Sequence, residues 1–166
     1  MLQGIVEADE TYVGGKPRKA NKRDDDKPAK RGRGTSKTPV VGAVERGGNV
    51  VAKVADKLTG HAMMQFFNKH VDTKGSLVIT DEFKSYKALD GSYQRTVINH
   101  AVQYVDGSTH TNTIESFWAL LKRAWYGQHH HYKEAFMPLY VAESCWKYNN
   151  RRNGNAFGTL LAGCFS

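Results

Sequence analysis

The stretch from His110 to Trp125, His-Thr-Asn-Thr-Ile-Glu-Ser-Phe-Trp-Ala-Leu-Leu-Lys-Arg-Ala-Trp, constrains the fold more than any other part of the chain. Ile114, Phe117, Trp118, Leu121 and Trp125 recur at i, i+3, i+4, i+7 and i+11, the spacing of a buried helical stripe. Gly127 offers a stop. Glu115 and Lys122 stand seven positions apart and, at about 100° per residue, leave the helix from nearly the same side, beside the apolar stripe. Asn112 followed by Glu115 also fits a capping box, with Asn112 as N-cap. Whether Glu115 is anything more than a cap depends on which other acids reach it.

A chain of 166 residues, 40% of them hydrophobic, is long enough for one domain with a real core. No apolar run approaches the roughly 20 residues that cross a bilayer. Glu7, Asp9 and Glu10 interrupt any signal-peptide pattern, so the expected location is the cytoplasm, away from membranes. Cys145 and Cys164 have no zinc-ligand spacing and read as incidental thiols in a reducing compartment.

The formal charge is +8, and much of the excess lies in residues 16–37, including Lys16, Lys30, Arg31 and Arg33. Lys147, Arg151 and Arg152 form a second basic group. Polyanion binding follows, with nucleic acid the natural partner and a solvated charged loop the alternative. Residues 16–38 hold almost no apolar side chain, which marks them as a flexible basic loop. Asp24-Asp25-Asp26 within it solvates the loop rather than nominating a metal site.

In chain order, residues 3–9 suit a strand that ends near Asp9 or continues to Val13. The runs 40–46 and 49–54 flank Gly47-Gly48 as a hairpin, giving a three-stranded antiparallel meander with the first strand. Thr59 can cap a helix to about Val71 carrying Ala62, Met63, Phe66 and Phe67. Ser76–Asp81 reads as a buried strand, parallel to its neighbour after a helical crossover. Residues 83–89 suit a short helix, while 95–100 and 102–105 are weaker strand candidates. A last helix is expected over about 133–150, with Pro138 in its first turn or kinking it and Phe136, Leu139, Tyr140, Ala142 and Trp146 inward. The sum is an α/β mixed five-stranded sheet flanked by helices.

Asp81 stands at the C-terminal end of the most buried strand, where α/β folds place site residues. Asp9 shares a strand face with Ile5 and Glu7. If these strands are neighbours the two acids can meet, with Glu115 arriving from a helix packed on the sheet. Three converging carboxylates repel unless a hard divalent cation such as Mg²⁺ or Mn²⁺ neutralises them. A carboxylate-held pair of ions supports in-line phosphoryl transfer. Each acid also has a plainer role: Asp9 before the Gly14-Gly15 turn, Asp81 at the start of the short helix, Glu115 as a cap.

Four segments carry a resemblance: Val6-Glu-Ala-Asp-Glu-Thr-Tyr-Val-Gly-Gly-Lys16, Val78-Ile-Thr-Asp-Glu82, His110–Lys122 and Tyr148-Asn-Asn-Arg151. In this order they resemble the catalytic domain of bacterial insertion-sequence transposases of the ISXO type. That group belongs to the DDE transposase and retroviral integrase superfamily. The resemblance implies a ribonuclease-H-like fold and divalent-metal-dependent DNA cleavage and strand transfer. It implies Asp9, Asp81 and Glu115 as the catalytic metal ligands of two Mg²⁺ ions that Mn²⁺ could replace, with Asn112 in reserve as third ligand. Lys122, with Arg123, would contact double-stranded DNA, as would Lys16, Lys30, Arg31, Arg33, Arg151 and Arg152. His110 is a candidate auxiliary residue.

The same resemblance implies a homodimer or higher assembly on paired element ends, acting at the nucleoid. Residues 1–166 are expected to be one catalytic domain with a basic insertion at about 14–38. The family's N-terminal zinc ribbon has no counterpart before the first strand. Two other readings use the same residues: a structure-directed nuclease on this fold, and a DNA-binding remnant without catalysis. Histidines 129–131 read as a polar loop, and Trp118, Trp125 and Trp146 as core.

Overall fold

The structure is a computed structural model that describes residues 1–14, 35, 37–98, 110–129 and 132–164. Five strands form one sheet in the order β3-β2-β1-β4-β5. They are β1 (Leu2–Val13), β2 (Thr38–Glu45), β3 (Val50–Val54), β4 (Val71–Thr80) and β5 (Gln94–Val97). β1, β2 and β3 make the expected antiparallel meander, and the first strand does run on to Val13. β4 pairs parallel to β1, and β5 pairs parallel to β4 at the sheet edge.

Strand alternation splits the core in two. Val6 and Ala8 of β1, with Val41 and Ala43 of β2 and Val78 of β4, face α1 (Gly60–His70). There Phe67 meets Tyr86 and Tyr93 edge-on, at centroid separations of 6.3 and 5.6 Å. Thr59 caps α1 as expected, its hydroxyl accepting from the Ala62 N–H at 3.2 Å. On the other face, Val13, Val40, Val44, Val50 and Ala52 pack against α2 (Asn112–Arg123) and α3 (Met137–Asn149). Ile114, Phe117, Trp118, Leu121 and Trp125 are all buried there, so the helical stripe does what its spacing demands.

Several local expectations are corrected. α2 does not stop at Gly127; it passes into a π-helical segment over Ala124–His129. The N-cap residue is Thr111, not Asn112, and no side chain of the helix's own start caps it. The short helix expected over 83–89 does form, as a 3₁₀ helix over Lys84–Leu89. Pro138 does sit in the first turn of α3, yet the buried face is Met137 and Val141, with Cys145 and Tyr148 partly packed on the same stripe. Phe136 and Leu139 are 48% and 66% exposed and Ala142 is exposed, because the helix docks through the adjacent 137/141/145/148 stripe, while Tyr140 packs partly against the core and Trp146 is half-buried. A further helix, α4 (Ala156–Cys164), had no sequence expectation. Residues 102–105 and 130–131 lie outside the described residues. No described helix is long and apolar enough to cross a membrane.

Candidate active site

Parallel pairing of Glu7 with Ile79 fixes the register of β1 on β4. Two residues further along, Asp9 and Asp81 come side by side. β4 ends at Thr80 while β1 continues to Val13, so nothing from β4 screens β1 beyond this point. Side chains from both faces of β1 can therefore reach round the end of β4. Carboxylate oxygens of Asp9, Glu10 and Asp81 all lie within 4.8 Å of one another. Glu10 was not among the sequence candidates, because alternation sends it to the opposite face from Asp9. Only the strand's end makes the two compatible.

This arrangement costs free energy that the protein does not fully recover. The Asp9 carboxyl is pushed up to about 7, mainly by burial and then by the charges of Glu10 and Asp81. The Trp118 indole N–H, donating to Asp9 Oδ2 at 3.0 Å, opposes that rise. The Tyr86 hydroxyl lies under the same acids; burial, and then their charges, push it well above its ordinary range. Asp81 is half-buried and accepts from the Phe83 N–H at 2.9 Å, the turn role its sequence context also suggested.

Trp118 reaches Asp9 because of Gly42. In the β1–β2 register Gly42 stands opposite Asp9, and a Cβ there would lie 2.5 Å from the indole. The missing side chain is the slot in which the ring sits.

Glu7, two residues before Asp9 on the same strand face, is fully buried. Its Oε2 accepts from the backbone N–H groups of Thr113 and Ile114, at 2.7 and 3.1 Å. Its Oε1 accepts from Thr113 Oγ1 at 2.9 Å and Arg46 Nε at 2.6 Å. Arg46 also donates to the His110 carbonyl at 2.8 Å, and His110 Nδ1 lies 3.4 Å from Glu7. A strand carboxylate thus caps α2 from outside, satisfying N–H groups and the helix dipole together. Sequence reading placed Glu7 on this face but gave it no function. His110 belongs to this anchor.

Glu115 is exposed in the first turn of α2, its Oε1 accepting from the Thr111 hydroxyl at 3.0 Å. The structure does not bring it into the Asp9–Glu10–Asp81 group. It shares a helix side with Trp118, which contacts Asp9, and with Lys122. Lys122 lies within the electrostatic reach of Asp9: partial burial lowers its pKa, the carboxylate opposes this, and Lys37 adds to the lowering. Arg123 and Asn112 are exposed. Arg151 is engaged within the fold, donating to the Tyr148 and Gly48 carbonyls at 2.7 and 2.9 Å with its guanidinium 4.0 Å from the Tyr148 ring centre. Arg152 is exposed. Lys16, Lys30, Arg31 and Arg33 lie outside the described residues.

The sheet with its flanking helices has the fold of a retroviral integrase catalytic core. The catalytic core of HTLV-2 integrase, solved in complex with magnesium, aligns over 89% of this chain and 85% of its own, with TM-score 0.50 and 13% identity. A chain of the simian T-cell lymphotropic virus intasome gives TM-score 0.53 at 13% identity, covering 89% of this chain and 48% of that one. These define the class, a ribonuclease-H-like α/β core. Within that class, residues 1–149 match the ISXO2-like transposase domain, and the chain belongs to that family.

Among curated relatives, an uncharacterized transposase-like protein of Haemophilus influenzae is 37% identical over 76 residues, 45% of this chain and 61% of that protein. A protein of the transposable element ISH50 of Halobacterium salinarum is 32% identical over 142 residues, 77% of this chain and 46% of its own length. The chain thus spans about half to three-fifths of these relatives.

Proposed function

We propose that this domain cleaves DNA at the end of a mobile element and joins the exposed 3′-hydroxyl to a target phosphodiester. The carrying observation is the meeting of Asp9 and Asp81 at the end of β4, with an acid held up to about 7 among like charges. Hard, closely spaced carboxylate oxygens fit Mg²⁺ or Mn²⁺. Such a cation, bound there, would supply charge neutralisation for the attacking and departing oxygens. Asp9 and Asp81 would hold it, and Glu115 would complete the site on releasing the Thr111 hydroxyl. Asn112, one turn edge away, is the reserve. Trp118 keeps Asp9 oriented, and Glu7 fixes the start of the helix that carries Glu115. Lys122, with Arg123, would hold the phosphate backbone beside the reacting end. Lys16, Lys30, Arg31, Arg33 and Arg152 would extend that contact to double-stranded DNA, and paired ends would require at least a dimer.

The test is strand transfer on oligonucleotides bearing an element end with Mg²⁺ or Mn²⁺. A folded Asp81→Asn variant should lose the reaction; undiminished joining would sink the proposal. Cleavage without joining would favour a structure-directed nuclease. DNA binding unaffected by divalent cations and by loss of Asp9 or Asp81 would favour a non-catalytic remnant. A second assignment of the third ligand is favoured by the position of Glu10 beside Asp9 and Asp81. Comparing Glu10→Gln with Glu115→Gln for the Mn²⁺ concentration at half-maximal rate decides between them.

A further inference from the structure

Beyond the acids, two clefts run along the α1 side of the sheet. The first, about 510 Å³, lies between β3 and α1. Lys53 of β3, Lys57 of the following loop, and Lys69 and His70 of the last turn of α1 line it, against a single acid, Asp56. The second, about 390 Å³, shares Asp56 and Lys57 with the first and continues to Lys37, Tyr12 and Phe83. Its inner end adjoins the acid site: the Phe83 N–H is bonded to Asp81, and Tyr12 follows Asp9 and Glu10 on β1. Lys37 in turn is close enough to Lys122 for its charge to be felt there. A row of cations therefore runs from Lys37, in the cleft that adjoins the acids, to the C-terminal end of α1.

Like charges crowded along a concave wall focus a positive potential. His70 registers it: burial lowers its pKa, and Lys53 and Lys69 lower it further. The row is built from ammonium groups, point charges that suit phosphate contact without base readout.

We infer that this lysine track, Lys37–Lys57–Lys53–Lys69, is the docking surface for the phosphate backbone of a duplex DNA arm leading away from the reacting phosphodiester. Continuity decides for DNA over an acidic protein segment. A linear polyanion whose reacting phosphate sits at Asp9 and Asp81 must leave the site along the surface, and the cleft with the cations leads away from that point. The inference rests on the proposed function for where the DNA starts, while its residues are separate from the acids that would do the chemistry.

The experiment is fluorescence anisotropy of a labelled duplex with an element end, titrated with the protein over a KCl series. The triple variant Lys53→Gln/Lys57→Gln/Lys69→Gln is compared with Lys74→Gln/Lys87→Gln/Lys133→Gln, which removes equal charge from exposed positions outside both clefts. Each lost phosphate contact reduces the slope of log K against log salt by about 1. The track variant should therefore flatten it by about 3, and the control by less than about 1. Equal flattening in both variants, or none in the track variant, overturns the inference while leaving the proposed function standing. Tighter binding of duplex RNA than duplex DNA along the same lysines overturns the choice of occupant. A wild-type protein that binds no duplex at all overturns the proposed function with it.

Discussion

Glu7 and Asp9 are two carboxylates on one strand, on one face, two residues apart, and the fold treats them in opposite ways. Glu7 is fully buried and meets two helix N–H groups, a hydroxyl and a guanidinium. Asp9 meets the Trp118 indole N–H, the Glu10 backbone and two other acids. Burial costs both their hydration, but only Glu7 has that cost offset inside the protein. A carboxylate whose charge is answered by neighbouring donors is part of the scaffold. One held among like charges has no such answer within the fold, and in the proposed function a cation would supply it.

The contrast is best broken by exchanging what each acid lacks. Glu7→Gln should be the most damaging change to the fold, about 3–5 kcal/mol by urea denaturation, because Arg46 loses its buried partner and α2 its external cap. A loss below about 1 kcal/mol would show that the helix holds itself in place. Asp9→Asn should do the reverse: strand transfer falls more than about 100-fold, yet the metal-free protein gains stability at pH 8.

The sign follows from protons bound. Unfolded Asp9 titrates near 3.8 and folded Asp9 at about 7, so the folded state holds the extra proton in between. Stability should fall as pH rises from about 4 to about 7, with the full penalty above 7. Denaturation midpoints at pH 5, 6, 7 and 8 should show that decline in the wild type and a flatter profile in Asp9→Asn. Adding Mn²⁺ at pH 8 should stabilise the wild type and not the variant.

Gly42→Ala should cost about 1–3 kcal/mol, since the new methyl enters the space of the Trp118 indole. It should also slow catalysis by moving the group that orients Asp9. The smallest effect is expected from Trp118→Phe, which keeps most of the packing and deletes one hydrogen bond. About 1 kcal/mol of stability should go. The Asp9 pKa, read by carboxyl NMR, should rise above the wild-type value, since a bond that favours the charged form is gone.

How much of this could be read from the residues depended on the range of the interaction. The α2 stripe, the Thr59 cap and the Gly47-Gly48 hairpin are local, and each forms where its residues say. Asp9 and Asp81 were legible as neighbours because a meander followed by a crossover leaves few places for the fourth strand. The face of α3 was read only in part: Tyr140 packs on the core, but α3 docks through Met137 and Val141, a choice made by the sheet and α2 surfaces it meets rather than by its own spacing. The capping box at Asn112 was a local solution that a distant residue displaced: Glu7, 106 positions from Thr113, supplies the acceptor instead.

The sequence by itself determined the five strands, the α1 and α2 helices and the acids available, since period, turn chemistry and charge act over a few residues. Only the tertiary structure decided which acids share a site and which one is neutralised. The end of β4 admits Glu10 beside Asp9, and the packing of α2 makes Glu7 part of the scaffold. Those outcomes depend on where a strand stops and which donors arrive from elsewhere in the chain, and electrostatic cost in a buried setting is set by such neighbours.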